Sequence, residues 1–424
     1  MKGPSTRAFR YGAFRSLRIR NYRIWAGGAL VSNVGTWMQR AAQDWIVLTE
    51  LTHHNATAVG VVMALQFAPQ LILLPLTGYA ADHLDRRKLL IATQSVMGLL
   101  ALGLGLLTVT GAIQLWHVYV FALLLGCASA FDAPVRQTFV ADLVGEGDLA
   151  NAVALNSTSF NLARMVGPAL AGVLIAAVGS GWVFLINTAS FAAVLASLTV
   201  LRVAELHPRS GPKPGRGALA AGFRYVWSRP DLKAILLMFF LFGAFGLNFP
   251  IFISTMSVTV FRAGAGEYGL LTSMMAVGSV IGALLAARRE KPRMALLLAG
   301  AAVFGAGCAL AAIMPTFWLF GLALIVVGVA AQTFTTSTNG LVQMSTEPHM
   351  RGRVMAIALA IALGGAPVGA PIVGWIADHF GPRWAMGVGA AAGFAAAAVA
   401  LAYLRARRRD AVEPREASIR AAAE

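Results

Sequence analysis

The chain has 424 residues, of which 58% are hydrophobic and only 12% charged. A soluble domain carries about 25% charged residues, so this composition excludes one and predicts an integral membrane protein. The formal net charge of +16 would suit a nucleic-acid binder, but its placement along the chain follows membrane sides rather than a binding patch.

A membrane-crossing helix needs about 20 apolar residues, and twelve such stretches are predicted in order. The first six run Tyr22 to Glu50, Thr57 to Gly78, Leu89 to Val109, His117 to Ala133, Asn151 to Val178 and Trp182 to Leu201. Polar residues 202–233, with Pro208, Gly211, Pro212, Pro214 and Gly215, form a linker. Six more spans follow: Ala234 to Val260, Tyr268 to Ala287, Met294 to Met314, Phe317 to Thr338, Val354 to Asp378 and Trp384 to Leu404. The expected layout is a helical bundle over 1–201, a cytoplasmic linker over 202–233, a second bundle over 234–404 and a basic, poorly ordered tail over 405–424. With the N-terminus in the cytoplasm, 30 of the 34 Lys and Arg fall on the cytoplasmic side, and only Arg262 and Arg383 lie outside. The positive-inside rule therefore puts both termini in the cytoplasm. No cleavable signal is expected, since the first apolar run is long enough to remain as a span.

The halves repeat. A shift of 202 residues carries Gly126 onto Gly328, Gly167 onto Gly369, Gly172 onto Gly374, Gly179 onto Gly381 and Trp182 onto Trp384. A shift of 204 carries Gly78 onto Gly282, each followed by a basic turn. The expected fold is all-α, with twelve transmembrane helices in two pseudo-symmetric six-helix bundles. Parallel repeats of this kind belong to transporters whose substrate site lies between the halves near the bilayer midplane.

The turn Gly78-Tyr79-Ala80-Ala81-Asp82-His83-Leu84-Asp85-Arg86-Arg87-Lys88 joins spans two and three. It resembles the loop of the major facilitator superfamily, Gly-x-x-x-Asp-Arg/Lys-x-Gly-Arg-Arg/Lys. Gly78, Asp82, Arg86 and Arg87 match, while His83 and Asp85 replace a cation and a glycine. Arg164 to Gly172, containing Gly167 and Pro168, is similar to the Gly-Pro motif that exporters of the superfamily carry in their fifth helix. Its repeat counterpart holds Gly369, Pro371 and Gly374, and both segments are expected to be bending points. Phe131 to Gln137, together with Asn161 to Pro168, resembles the branch containing enterobactin-exporter and macrolide-efflux types. Asp132 and Arg136, spaced to share one helix face, are expected to act with the 78–88 turn as a cytoplasmic gate, direct substrate contact being the other reading.

Charges inside the spans are few. Arg40 and Asp44 lie one turn apart near Gln43 in span one, and Arg164 lies in span five. A charge at mid-bilayer costs roughly 3 kcal/mol, so these residues are expected to face a cavity. There Asp44 would take up a proton and the cations would bind an anionic or hydrogen-bond-accepting substrate. The other reading is a structural ion pair of Arg40 with Asp44. The second half offers Asn248 beside Pro250, Gln332 and Asn339, with Phe245, Phe249, Met274 and Met275 as an apolar wall. Gly264 to Gly269 spells a dinucleotide fingerprint without a preceding strand. No phosphate loop, zinc spacing or nucleophile motif occurs. Cys127 and Cys308 stand singly in apolar runs.

The resemblance implies a non-enzymatic exporter of small amphipathic molecules such as drugs, macrolides or siderophore-like metabolites. It would sit in a bacterial cytoplasmic membrane, without cofactor, driven by the proton gradient and working as a monomer. Its partners would be substrate, protons and lipid, with no nucleic acid. An importer on the same fold and a non-transporting scaffold remain the alternatives.

Overall fold

The computed structural model describes residues 14–207, 218–287, 293–347 and 349–421. All regular structure among them is helical. Ten of the helices are long and apolar enough to cross a membrane. The first and second spans complete the set of twelve. The first, α1 (Arg20–Ile46), carries Arg40 and Asp44 and continues as a π-helical turn to Leu51. The second is split into α2 (Ala56–Ile72) and α3 (Leu74–His83). The split follows from Pro75: it has no N–H to give the carbonyl four residues back, so the ladder is interrupted there.

Four helices complete the first half: α4 (Arg86–Val109), α5 (Leu115–Leu143), α6 (Leu149–Val178) and α7 (Ser180–Thr199). Helix α5 outruns the expected span at Ala133. Its last turns alternate buried Val135, Phe139, Val140 and Leu143 with exposed Gln137 and Thr138, so hydropathy drops while helical packing continues. Those residues join Tyr22, Trp25, Leu198 and Leu201 in a buried cluster. The Tyr22 hydroxyl donates to the Ala152 carbonyl at 2.9 Å, which satisfies the one polar atom of a fully buried ring.

The second half contains α8 (Ala218–Ser228), α9 (Pro230–Leu241), α10 (Phe249–Thr255), α11 (Ala265–Ala287), α12 (Met294–Ile313), α13 (Phe317–Ser345), α14 (Arg351–Phe380) and α15 (Pro382–Ala421). Three features differ from the expectation. The end of the 202–233 linker is helical, as α8, while residues 208–217 lie outside the described ones. The seventh span is interrupted: α9 passes through a π turn at Phe242–Gly246, breaks at Leu247 and Asn248, restarts as α10 with Pro250 in its first turn, and ends in a second π turn at Met256–Val260. The tail, expected to be poorly ordered, continues α15 to Ala421; its Ala, Arg and Glu residues are strong helix formers.

The chain forms two compact units. One contains Met1–Leu51, Pro69–Lys213 and Gly264–Leu270; the other contains Thr52–Ala68, Pro214–Ala263 and Leu271–Glu424. The division thus falls within the linker, but the first turns of α2 belong to the second unit and the first turns of α11 to the first. Inside the units the sequence repeat has physical counterparts. Gly179 (φ 88°) ends α6 and Gly381 (φ 98°) ends α14, both with ψ near 160°, a conformation open essentially to glycine alone. Trp116 and Trp318 begin α5 and α13, and Trp182 and Trp384 begin α7 and α15. All four are more than half exposed, as tryptophans at a membrane–water boundary are.

Candidate functional site

The residues expected to form a gate sort into two clusters in the first unit. Asp132 is buried; its carboxylate pairs with Arg136 at 2.9 Å and accepts from the Thr93 hydroxyl at 2.9 Å and the Gln94 amide at 2.6 Å. Arg136 also donates to the Asn33 side-chain oxygen at 2.6 Å. The network joins α1, α4 and α5 and satisfies a buried charge pair from several sides, which such a pair requires to offset its desolvation.

The basic turn makes other contacts. Arg86 pairs with Asp142 at 2.7 Å, and Arg87 donates to the Leu198 carbonyl at 2.8 Å. Asp85 accepts from the Lys88 N–H at 3.0 Å and caps α4, so the residue that departs from the family pattern has a helix-starting role. Gly78 lies on α3 with open space where a side chain would project. The Asp82 side chain lies outside the described residues. Asp142, Asn33, Thr93 and Gln94 were not picked out from the sequence, because none belongs to a local motif.

The in-span charges gather on α1. Asp44 is buried, and its Oδ1 has no hydrogen-bond partner. Arg40, one turn earlier, interacts electrostatically with it and stands over the Trp37 ring, 5.0 Å from the centroid. Gln43 is fully buried beside them. Tyr268, from the part of α11 in this unit, stacks on Trp45 with ring centroids 5.4 Å apart and lies within electrostatic reach of Asp44. Arg164 is exposed on α6.

The glycines of the helix-five motif and its counterpart sit where backbones meet. A Cβ on Gly167 would fall 2.5 Å from the Trp37 Cβ and 3.0 Å from the Met38 nitrogen of α1. At the equivalent place in the second unit, a Cβ on Gly369 would overlap the Ala244 carbonyl in the π turn of the seventh span. Gly172 faces Gly269 and the Ala265 carbonyl of α11, and Gly374 faces Ala56 and Thr57 of α2. Helices α6 and α14 run unbroken through Pro168, Pro367 and Pro371. Gly269, the last glycine of the apparent dinucleotide fingerprint, is thus a helix-contact residue. Next to Gly374, Asp378 accepts from the Ala56 N–H at 2.7 Å and the Thr57 N–H at 2.8 Å. It thereby caps the N-terminus of α2 from 322 residues away.

In the second unit, Asn248 occupies the break between α9 and α10. Its amide donates to the Ala244 carbonyl at 2.7 Å, and its Oδ1 is buried with no hydrogen-bond partner. Phe245 and Phe249 flank it half-buried. Gln332 donates to Thr336 at 3.1 Å. Met274 packs against Gly321 of α13. No cluster of metal-ligating side chains occurs among the described residues.

Residues 11–421 match a family described as transmembrane secretion effectors. The staphyloferrin A transporter of Staphylococcus aureus is 27% identical over 356 residues, covering 82% of this chain and 87% of that protein. The multidrug efflux pump Tap of Mycolicibacterium fortuitum is 26% identical, covering 83% and 88%. The enterobactin exporter EntS of Shigella flexneri is 24% identical, covering 79% and 80%. Among solved structures, an inward-facing bacterial homolog of the human lysosomal transporter Spinster superposes with a TM-score of 0.73 at 14% identity, covering 91% of this chain and 97% of that one. The nucleoside transporter NupG superposes with a TM-score of 0.69 at 14% identity, covering 91% and 99%. At such identities these structures speak for the fold alone.

Proposed function

The chain belongs to the transmembrane secretion effectors, a family of the major facilitator superfamily, and we propose that it exports a small amphipathic molecule in exchange for protons by alternating access. The observation that carries the proton coupling is Asp44: a buried carboxylate in a membrane helix, with one oxygen lacking a hydrogen-bond partner and Arg40 one turn away. Such a group can hold or release a proton as its access to water changes. Each charge moved across the membrane is worth about 2.3 kcal/mol per 100 mV, enough to work against a concentration gradient of the substrate.

Siderophore-like metabolites and drugs are the substrate classes that the relatives' names suggest. Arg40 and Arg164, both in the first unit, suit an anionic or acceptor-rich group on the substrate. Both termini lie in the cytoplasm of a bacterial cell in this reading, which the placement of the cations supports.

The test is accumulation of candidate drugs and siderophores in cells expressing the chain, with and without a protonophore. Accumulation below that of control cells, restored by the protonophore, is the expected result. Uptake above control would establish an importer. Efflux insensitive to the protonophore would remove proton coupling.

A further inference from the structure

Helix α8 divides into three sectors. At about 100° per residue, Gly222, Tyr225, Val226 and Arg229 fall on one side. Gly222 meets the Arg353 Cβ and Ile357 of α14, and Val226 is buried. The Tyr225 hydroxyl accepts from the Glu347 N–H at 3.3 Å, and Arg229 donates to the Ser345 carbonyl at 3.2 Å. This side fixes α8 to the turn between α13 and α14. Next to it, one turn apart, stand Phe223 and Trp227, 56% and 76% exposed. Beyond them lie exposed Ala220, Arg224 and Ser228.

The aromatic sector therefore lies between the protein-facing side and the polar side. It also leads within three residues into α9, a membrane span whose Leu237 is exposed as a lipid-facing residue is. The other exposed tryptophans at span starts, Trp116, Trp182, Trp318 and Trp384, begin helices α5, α7, α13 and α15. Trp227 lies instead at the start of α9, on the side of the α13–α14 turn. An exposed aromatic pair one short link from a membrane span, flanked by an exposed arginine, has the composition of an interfacial anchor.

We infer that α8 lies in the lipid headgroup layer, with Phe223 and Trp227 inserted at the acyl boundary and Arg224 towards the phosphates, and so fixes the depth at which α9 enters the membrane. This reading is independent of substrate and of proton coupling. The test uses the full chain with Cys127→Ser and Cys308→Ala, reconstituted in phosphatidylcholine–phosphatidylglycerol vesicles. A single environment-sensitive fluorophore is attached through Trp227→Cys or, separately, Arg224→Cys. The label at 227 is expected to emit to the blue of the label at 224, to be quenched by lipids carrying a nitroxide near the headgroup, and to resist aqueous iodide. Equal emission and equal iodide quenching at the two positions would overturn the inference. So would cross-linking of two copies through position 227, which would assign the face to a second chain. Phe223→Cys, on the same sector, replaces Trp227→Cys if that variant elutes as an aggregate, and the same outcomes apply.

Discussion

A Cβ on Gly172 would stand 2.5 Å from the Cα of Gly269, so α6 and α11 touch backbone to backbone at a point where neither helix has room for a side chain. Gly374 does the same against Ala56 and Thr57 at the head of α2. Between them, the two glycines hold the chain segments that leave their own half of the sequence to join the other unit. Close approach of this kind is how membrane helices associate, since lipid supplies no hydrophobic drive between them.

Replacing Gly172 by Leu is expected to destabilise the detergent-purified protein by about 1–3 kcal/mol, as overpacking does. Thermal unfolding checks this, with Gly387→Ala as control because nothing lies within 4 Å of a side chain there. A control that falls as far as Gly172→Leu would show that the contact with Gly269 is not the cause.

Gly179→Ala and Gly381→Ala are each expected to lower stability by about 1–3 kcal/mol through backbone strain. Open space surrounds both positions, so sterics with neighbours play no part. The two effects should add, because the sites share no partner. Unfolding of the single and double variants measures both statements.

The Asp132 network gives a graded series. Asp132→Ala leaves Arg136 half-buried without its carboxylate, and removing one partner of a buried pair costs about 3–5 kcal/mol. Asp132→Asn keeps an acceptor for Thr93 and Gln94 and should lose less. Pairing Asp132→Asn with Arg136→Gln should recover part of that loss. A double variant no better than Asp132→Asn alone would mean that the charge of Arg136 is not what the loss reports.

Asp44→Asn is expected to leave the protein folded while flattening the dependence of transport on external pH. Arg164→Ala is expected to change apparent substrate affinity and keep the pH profile. Transport by Asp44→Asn with an unaltered pH profile would place proton coupling elsewhere.

Much of this structure was legible because its signals are local. Runs of apolar residues mark the spans, and the i, i+4 spacing of Asp132 and Arg136 announces a pair that the structure closes at 2.9 Å. Of the glycines repeating at a shift of 202, Gly167, Gly172, Gly369 and Gly374 stand at close backbone approaches, a use the sequence suggested beside bending. What was missed is set by distant partners. Asp378 caps Ala56 and Thr57 across 322 residues, and nothing near either end announces it. Asn248 and Pro250 marked the seventh span, yet the π turn at Phe242–Gly246 packs against Gly365 and Gly369 of α14, which no pattern within the span itself encodes. Tyr268 joined the Asp44 cluster only once the head of α11 was placed in the first unit.

The single-residue links at Gly179 and Gly381 have a mechanical consequence. Helix α6 ends at Val178 and α7 begins at Ser180; α14 ends at Phe380 and α15 begins at Pro382. One residue in a conformation only glycine holds is the whole length of chain between the helices of each pair. A single residue reaches at most about 3.6 Å, so the joined ends of α6 and α7, and of α14 and α15, stay side by side whatever the rest of each helix does.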